Sequence, residues 1–222
     1  MTRCDNALPW LGPVAVSEFG TVMDEHGRFG LGAILIIERS RTQDVLLVRK
    51  SPRPGFEGND QLAFPGGMVR PSGTHTTLSD WIHHSLQERV SVEVKLELSI
   101  CPPMTMLAVT PPIVAACTAK GQRRHTIIFP FCLTVRSDFQ PCAQDTTVYD
   151  PGWRDLRDVW SEITPTNRLI AAQYVWPRLT EQERRAAHPS VAEALAQAST
   201  WAAEIGFPPP SAPWTHANAA MG

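Results

Sequence analysis

The tetrad Phe64-Pro65-Gly66-Gly67 constrains this chain more than any other stretch, because it stops an apolar strand at a proline and two glycines just ahead of a helical pattern. Pro65 cannot donate to a strand ladder, and glycine opens backbone conformations closed to other residues. The strand occupies residues 61–67, and the spacing predicts a helix from about Leu78 to Val90, with Thr77 and Asp80 placed to form its N-terminal cap. Upstream, residues 31–38 and 44–50 read as strands joined by the polar turn 39–43, a hairpin by spacing. A Pro-, Gly- and Asn-rich loop, residues 51–60, follows that hairpin. Downstream, residues 92–100 alternate apolar and charged side chains, and residues 126–135 make another β-rich run.

The pattern changes near Ile163, from short β-type runs to Ala-rich helical stretches. Three helix starts stand beyond it: Thr164-Pro165, Thr180 with Glu183, and Ser190 with Glu193. We therefore expect a domain over residues 1–163, a helical extension over 164–206 ended by Gly206, and a disordered Pro/Ala-rich tail over 207–222. A chain of 222 residues accommodates one such domain and its extension. Trp176, Leu179, Val191, Leu195 and Trp201 would form the extension's buried face.

Charge excludes one class of partner. The formal net charge is -2 and no Lys/Arg run exceeds a pair such as Arg123-Arg124, so the electrostatic footprint of a nucleic-acid binder is missing. Lys50, Lys95 and Lys120 are the only lysines among many arginines, an actinobacterial-like, GC-rich composition that we treat as background. The five cysteines, Cys4, Cys101, Cys117, Cys132 and Cys142, are odd in number and never spaced Cys-x-x-Cys, so reduced thiols are expected. The longest apolar run, residues 31–37, is far too short to span a bilayer, and the expectation is a soluble, cytoplasmic protein without a membrane partner.

The order strand, Phe64-Pro65-Gly66-Gly67, loop, helix, strand resembles the heart of the Nudix hydrolase family, over roughly residues 31–163. The segment from Asp150-Pro151-Gly152-Trp153 to Trp160 is similar to the one that closes that family's fold. The resemblance implies an α/β (α+β) protein, a Nudix-type α/β/α sandwich with a mixed sheet, followed by the helical extension. It also implies that Gly66 and Gly67 let the backbone come close to a substrate phosphate.

The family's box runs Gly, five residues, Glu, seven residues, then Arg-Glu-apolar-x-Glu-Glu-x-Gly-apolar, and its helix glutamates hold divalent ions on a pyrophosphate. Counted from Gly67, the first Glu place falls on Gly73 and the Arg-Glu pair on Trp81-Ile82, neither of which binds metal. Anchoring on Leu86 and Val92 instead puts Arg-Glu on His84-Ser85, Glu-Glu on Glu88-Arg89 and the late Gly on Ser91. This register is preferred because Leu78, Ile82, Leu86 and Val90 then form one apolar stripe. It leaves Glu88 as the one metal-binding carboxylate of three. An Arg89 cation about 5 Å from a divalent ion, at an effective dielectric near 20, costs on the order of 6 kcal/mol before screening. Magnesium binding is thus expected to be weak and dependent on substrate phosphates.

Asp80, His84 and Glu88 share a helix face at i, i+4 and i+8, so His84 and Glu88 could serve as an acid/base pair, or as two ligands of a transition metal with His75 or His125 as the third. The plainer alternative is a helix cap and a solvated pair. Arg70, Arg89, Arg123 and Arg124 are candidates for contacting an anionic ligand. Three functions stay open at this point. One is an atypical hydrolase of a nucleoside-diphosphate-linked or related pyrophosphate compound, another a non-catalytic member that binds such a ligand. The third is a repurposed enzyme of specialised metabolism using His84 and Glu88. Catalytic roles thus fall to Glu88 and His84, ligand contacts to Gly66, Gly67, Arg70 and Arg89, and metal to Glu88; a homodimer is left open.

Overall fold

In the computed structural model of the chain, the residues described are 2–4, 14–16, 21–24, 27–40, 42, 44–54, 58–70, 78–95, 108–109, 113–119, 122–175, 180–186 and 189–204. Everything is organised around one long strand, β4 (Gly27–Arg39), which follows three short ones, β1 (Thr2–Cys4), β2 (Val14–Val16) and β3 (Thr21–Asp24). After it come β5 (Val45–Lys50), β6 (Leu62–Ala63), β7 (Gly66–Met68) and the helix α1 (Leu78–Val94). Strands β8 (Ala108–Val109), β9 (Ile113–Ala119), β10 (Gln122–Val135) and β11 (Val148–Arg154) complete the sheet. Helices α2 (Pro165–Val175), α3 (Glu181–Ala186) and α4 (Pro189–Glu204) end the described chain.

On one side β4 pairs in parallel with β10, from Thr126 opposite Gly30 to Val135 opposite Arg39. Its other side is shared antiparallel by β3, β7 and β5, at Gly27 to Gly30, at Gly32 to Ile34 and at Glu38 respectively. The sheet is therefore mixed. Side chains on a strand alternate faces, so an unbroken apolar run is buried on both. Leu31, Ala33, Leu35 and Ile37 enter one core with Leu46, Val48, Ile127, Phe129 and the α1 residues Trp81, Ile82, Leu86, Val90 and Val94. Ile34 and Ile36 enter the other with Val45, Leu47, Phe64 and Leu169, Ile170, Ala171 and Tyr174 of α2. Helices cover both faces, giving the α/β/α sandwich expected from sequence.

The second outer layer comes from beyond Ile163. The backbone N–H of Thr164 donates to Leu62 (2.8 Å), and Asn167 Oδ1 at the start of α2 accepts from the Phe64 N–H (3.0 Å). Ile163 bridges to Leu62, and Tyr174 hydrogen-bonds Glu38 on β4. Residues 165–175, placed by sequence in an appended extension, thus pack into the core of the sheet itself. Of the face assigned to that extension, Val191 is buried, Leu195 and Trp201 are half-buried, and Trp176 and Leu179 lie outside the described residues. The reciprocal cap at Thr180 is present: its N–H donates to Glu183 Oε2 (2.7 Å) and its hydroxyl accepts from the Glu183 N–H (3.2 Å). Thr77 and the tail fall outside the described residues.

Two local readings need correction. The strand read over 61–67 is two short strands broken at Phe64-Pro65. Helix α1 runs on to Val94, past the expected end at Val90, so residues 92–94 of the supposed alternating strand are helical. Val94 continues the stripe one turn beyond Val90, and burying it outweighs the local alternation. Lys95 then takes a left-handed conformation (φ 56°), a common way for a helix to stop.

Candidate functional site

The glycine turn is fixed against β4. Leu35 N–H donates to Pro65 O (2.9 Å) and Val69 N–H to Leu31 O (2.9 Å), bracketing Gly66 and Gly67 between two cross-strand bonds. Gly66 has φ +140°, and a Cβ built there would lie 2.3 Å from Ala33 O and 2.7 Å from Ile34 Cα. Only glycine fits that approach.

Helix α1 turns Ser85, Arg89 and Glu93 toward this turn, at i, i+4 and i+8. Ser85 Oγ accepts from Arg70 N–H (2.9 Å). The Arg89 side chain lies along Gly67, with its Cγ and Nε both 3.4 Å from where a Cβ of that glycine would be. Glu93 is buried; one carboxylate oxygen accepts from Gly66 N–H (2.8 Å) and the other pairs with Lys50 Nζ (3.1 Å). Two internal cations, Arg89 and Lys50, therefore flank the turn, each matched by a carboxylate.

Arg89's carboxylate is Asp145, 3.0 Å from Nη1. Asp145 belongs to a loop held against the end of α1, where Cys142 N–H donates to Val94 O (3.3 Å) and Gln144 N–H to Val92 O (2.9 Å). Residues 141–146 and 148–151 of this loop and its continuation line an open depression of about 590 Å³. The Thr147 N–H donates to Asp145 Oδ1 (2.8 Å), and this bond, with Arg89 adding to it, holds the Asp145 carboxyl below the usual range. A depressed carboxyl pKa contributes stability above the unfolded value of roughly 4 and loses it as pH falls through the folded value. Asp145→Asn should accordingly flatten the acid limb of a melting-temperature profile below about pH 4. An unchanged acid limb would show that the pair adds nothing to folding.

A second ionic cluster fixes the far end of loop 51–60. Arg49 pairs with Glu162 (2.7 Å) and donates to Asp60 O (2.6 Å), while Tyr149 OH donates to Asp60 Oδ1 (2.8 Å). Asp60 is itself left-handed at φ 60°.

The structure thus brings Gly66, Gly67 and Arg89 together, with Arg70 joined to them through its backbone. It does not bring His84 or Glu88 to that group: both side chains lie on the exposed side of α1, as does Asp80. His125 is half-buried on β10, the side chains of Arg123 and Arg124 are not described, and His75 lies outside the described residues. Cys132 is buried and Cys142 exposed. At two of the three places where the family resemblance implies metal-binding helix carboxylates stand Ser85 and Arg89. Arg89 lies on the glycine turn, Ser85 is committed to the Arg70 backbone, and among the described residues no group of three or more His, Cys, Asp or Glu could hold a metal. Sequence reasoning overlooked Glu93, Lys50 and the pairing of Asp145. The signal for Glu93 was its place eight residues after Ser85, hidden by reading residues 92–100 as a strand.

No protein-family model matches the chain, and the search of curated proteins found no match. Solved structures do match it. A NUDIX hydrolase from Alicyclobacillus acidocaldarius is 15% identical, with a TM-score of 0.49 over 65% of this chain and 90% of that one. The NUDIX domain of Shewanella oneidensis NrtR, complexed with ADP ribose, is 16% identical, with a TM-score of 0.47 over 68% and 88%. The E. coli dihydroneopterin triphosphate pyrophosphohydrolase is 16% identical, with a TM-score of 0.45 over 66% and 95%. Among the described residues no helix is long and apolar enough to cross a membrane.

Proposed function

We propose that this chain is a Nudix-fold protein that binds a nucleoside-diphosphate-linked or related pyrophosphate-containing small molecule, and that it does so without magnesium-dependent hydrolysis. The observation that carries this reading is Arg89. Its side chain lies on Gly67, so the positive charge facing a ligand at the turn is built into the chain. A guanidinium binds phosphate oxygens through several donors in a fixed plane but neither polarises them as a divalent ion does nor activates water. Lys50 adds a second cation behind Gly66, through Glu93. The alternative that gives acid/base or metal work to His84 and Glu88 is less well supported, because both side chains are in water. A residual hydrolase would have to recruit the exposed Glu88 as its one helix carboxylate, and magnesium would reach it only with ligand phosphates.

Calorimetry with ADP-ribose as probe, in EDTA and then in millimolar magnesium, tests the reading. Binding is expected in both, within about twofold, since the ion has few ligands to add. Arg89→Gln should weaken it by about tenfold or more, the loss of a charge-assisted contact. Magnesium-dependent release of AMP would overturn the proposal in favour of the hydrolase.

A further inference from the structure

Arg89 does not wait unpaired at the glycine turn, and what holds it is set up in an unusual way. Asp145 reaches its guanidinium from a loop that is pinned independently, through Cys142 and Gln144 to the last carbonyls of α1. The carboxylate is also held by its own backbone, at Thr147 N–H, so it keeps a hydrogen bond when Arg89 moves away. Both partners of the pair stay within reach of solvent, with the Arg89 side chain 31% and the Asp145 side chain 17% exposed. Asp145 is one of the residues, 141–146 and 148–151, that line the open depression.

From this geometry we infer that Asp145 is an internal occupant of the anion site. Its carboxylate takes the place on Arg89 that a ligand phosphate oxygen would take, so binding proceeds by exchange of one anion for the other and Asp145 limits the affinity. The inference rests on the proposed ligand site at Gly67 and Arg89. Two terms make Asp145 a limit: the ion pair must open, and the displaced carboxylate, anchored at Thr147, stays close to the incoming phosphate as a like charge. Were Asp145 there only to aim Arg89, the same pair would improve affinity. The two roles therefore predict opposite signs for one substitution.

Asp145→Asn keeps an oxygen for the Thr147 N–H and replaces the charge facing Arg89 by a neutral amide. Titration with ADP-ribose and, separately, with inorganic pyrophosphate, both in EDTA, should show roughly two- to fivefold tighter binding than the wild-type chain, the range set by a partly exposed ion pair. Asp145→Glu, which restores the charge, should show no gain. If Asp145→Asn melts too low to titrate, Asp145→Ser is neutral, can also accept from Thr147, and is read in the same way. Equal or weaker binding by the neutral variant, with the wild type still binding, overturns the occupant role and leaves the proposed function standing. No binding by either protein overturns both.

Discussion

Gly66→Ala should leave a protein destabilised by about 4 kcal/mol, a large part of the 5–15 kcal/mol that a folded domain has in total. Two costs combine. Alanine at φ +140° sits in a region nearly closed to L residues, and its methyl would lie 2.3 Å from Ala33 O and 2.7 Å from Ile34 Cα, both atoms of the central strand β4. Neither can step aside, because β4 is bonded on its other side to β10 at the same residues. A fall of roughly 10 °C or more in melting temperature is the expected reading for a chain of this size. Gly67→Ala is the control: the nearest atoms to its Cβ belong to the flexible Arg89 side chain at 3.4 Å, so it should cost about 1 kcal/mol or less and act mainly by moving Arg89. Equal melting of the Gly66 variant and the wild type would mean that β7 does not hold β4 as described.

The contrast between those two neighbours shows what the sequence could convey. Phe64-Pro65-Gly66-Gly67 announced a turn and a close approach, because only backbone permissiveness explains such residues after an apolar strand. The stripe Ile82, Leu86 and Val90 likewise announced which face of α1 is buried, and it fixed the register that puts Ser85 and Arg89 beside the turn. Local periodicity carries that information without reference to the rest of the chain. The partners of the inward polar residues are another matter. Asp145 lies 56 positions from Arg89, and Lys50 lies 43 from Glu93. Nothing local links either pair; they meet because β11 returns to β5 and α1 crosses behind β7. The role of the C-terminal helices was obscured for the same reason. A stretch rich in alanine reads as a separate helical unit until the bare second face of the sheet is known to need a cover, which Leu169, Ile170, Ala171 and Tyr174 supply.

Glu93 carries the second large effect. A carboxylate with 3% of its side chain exposed is tolerated only when its charge and its lone pairs are met, here by Lys50 Nζ at 3.1 Å and by Gly66 N–H at 2.8 Å. Glu93→Ala removes both at once. It leaves an ammonium whose side chain is 13% exposed without its counter-ion, and a buried glycine N–H without an acceptor, a combined cost of about 3–5 kcal/mol. Glu93→Gln keeps an oxygen for Gly66 and loses only the charge, so it should fall between, at about 1–2 kcal/mol. Urea unfolding of the two variants separates the contributions, and Lys50→Met with Glu93→Gln completes a cycle in which the double variant should be less destabilised than the sum of the singles. Additive losses would show that Lys50 and Glu93 act independently. An unaffected Glu93→Ala would mean that the buried carboxylate does not organise the turn at all, and Gly66 would then be held by β4 alone.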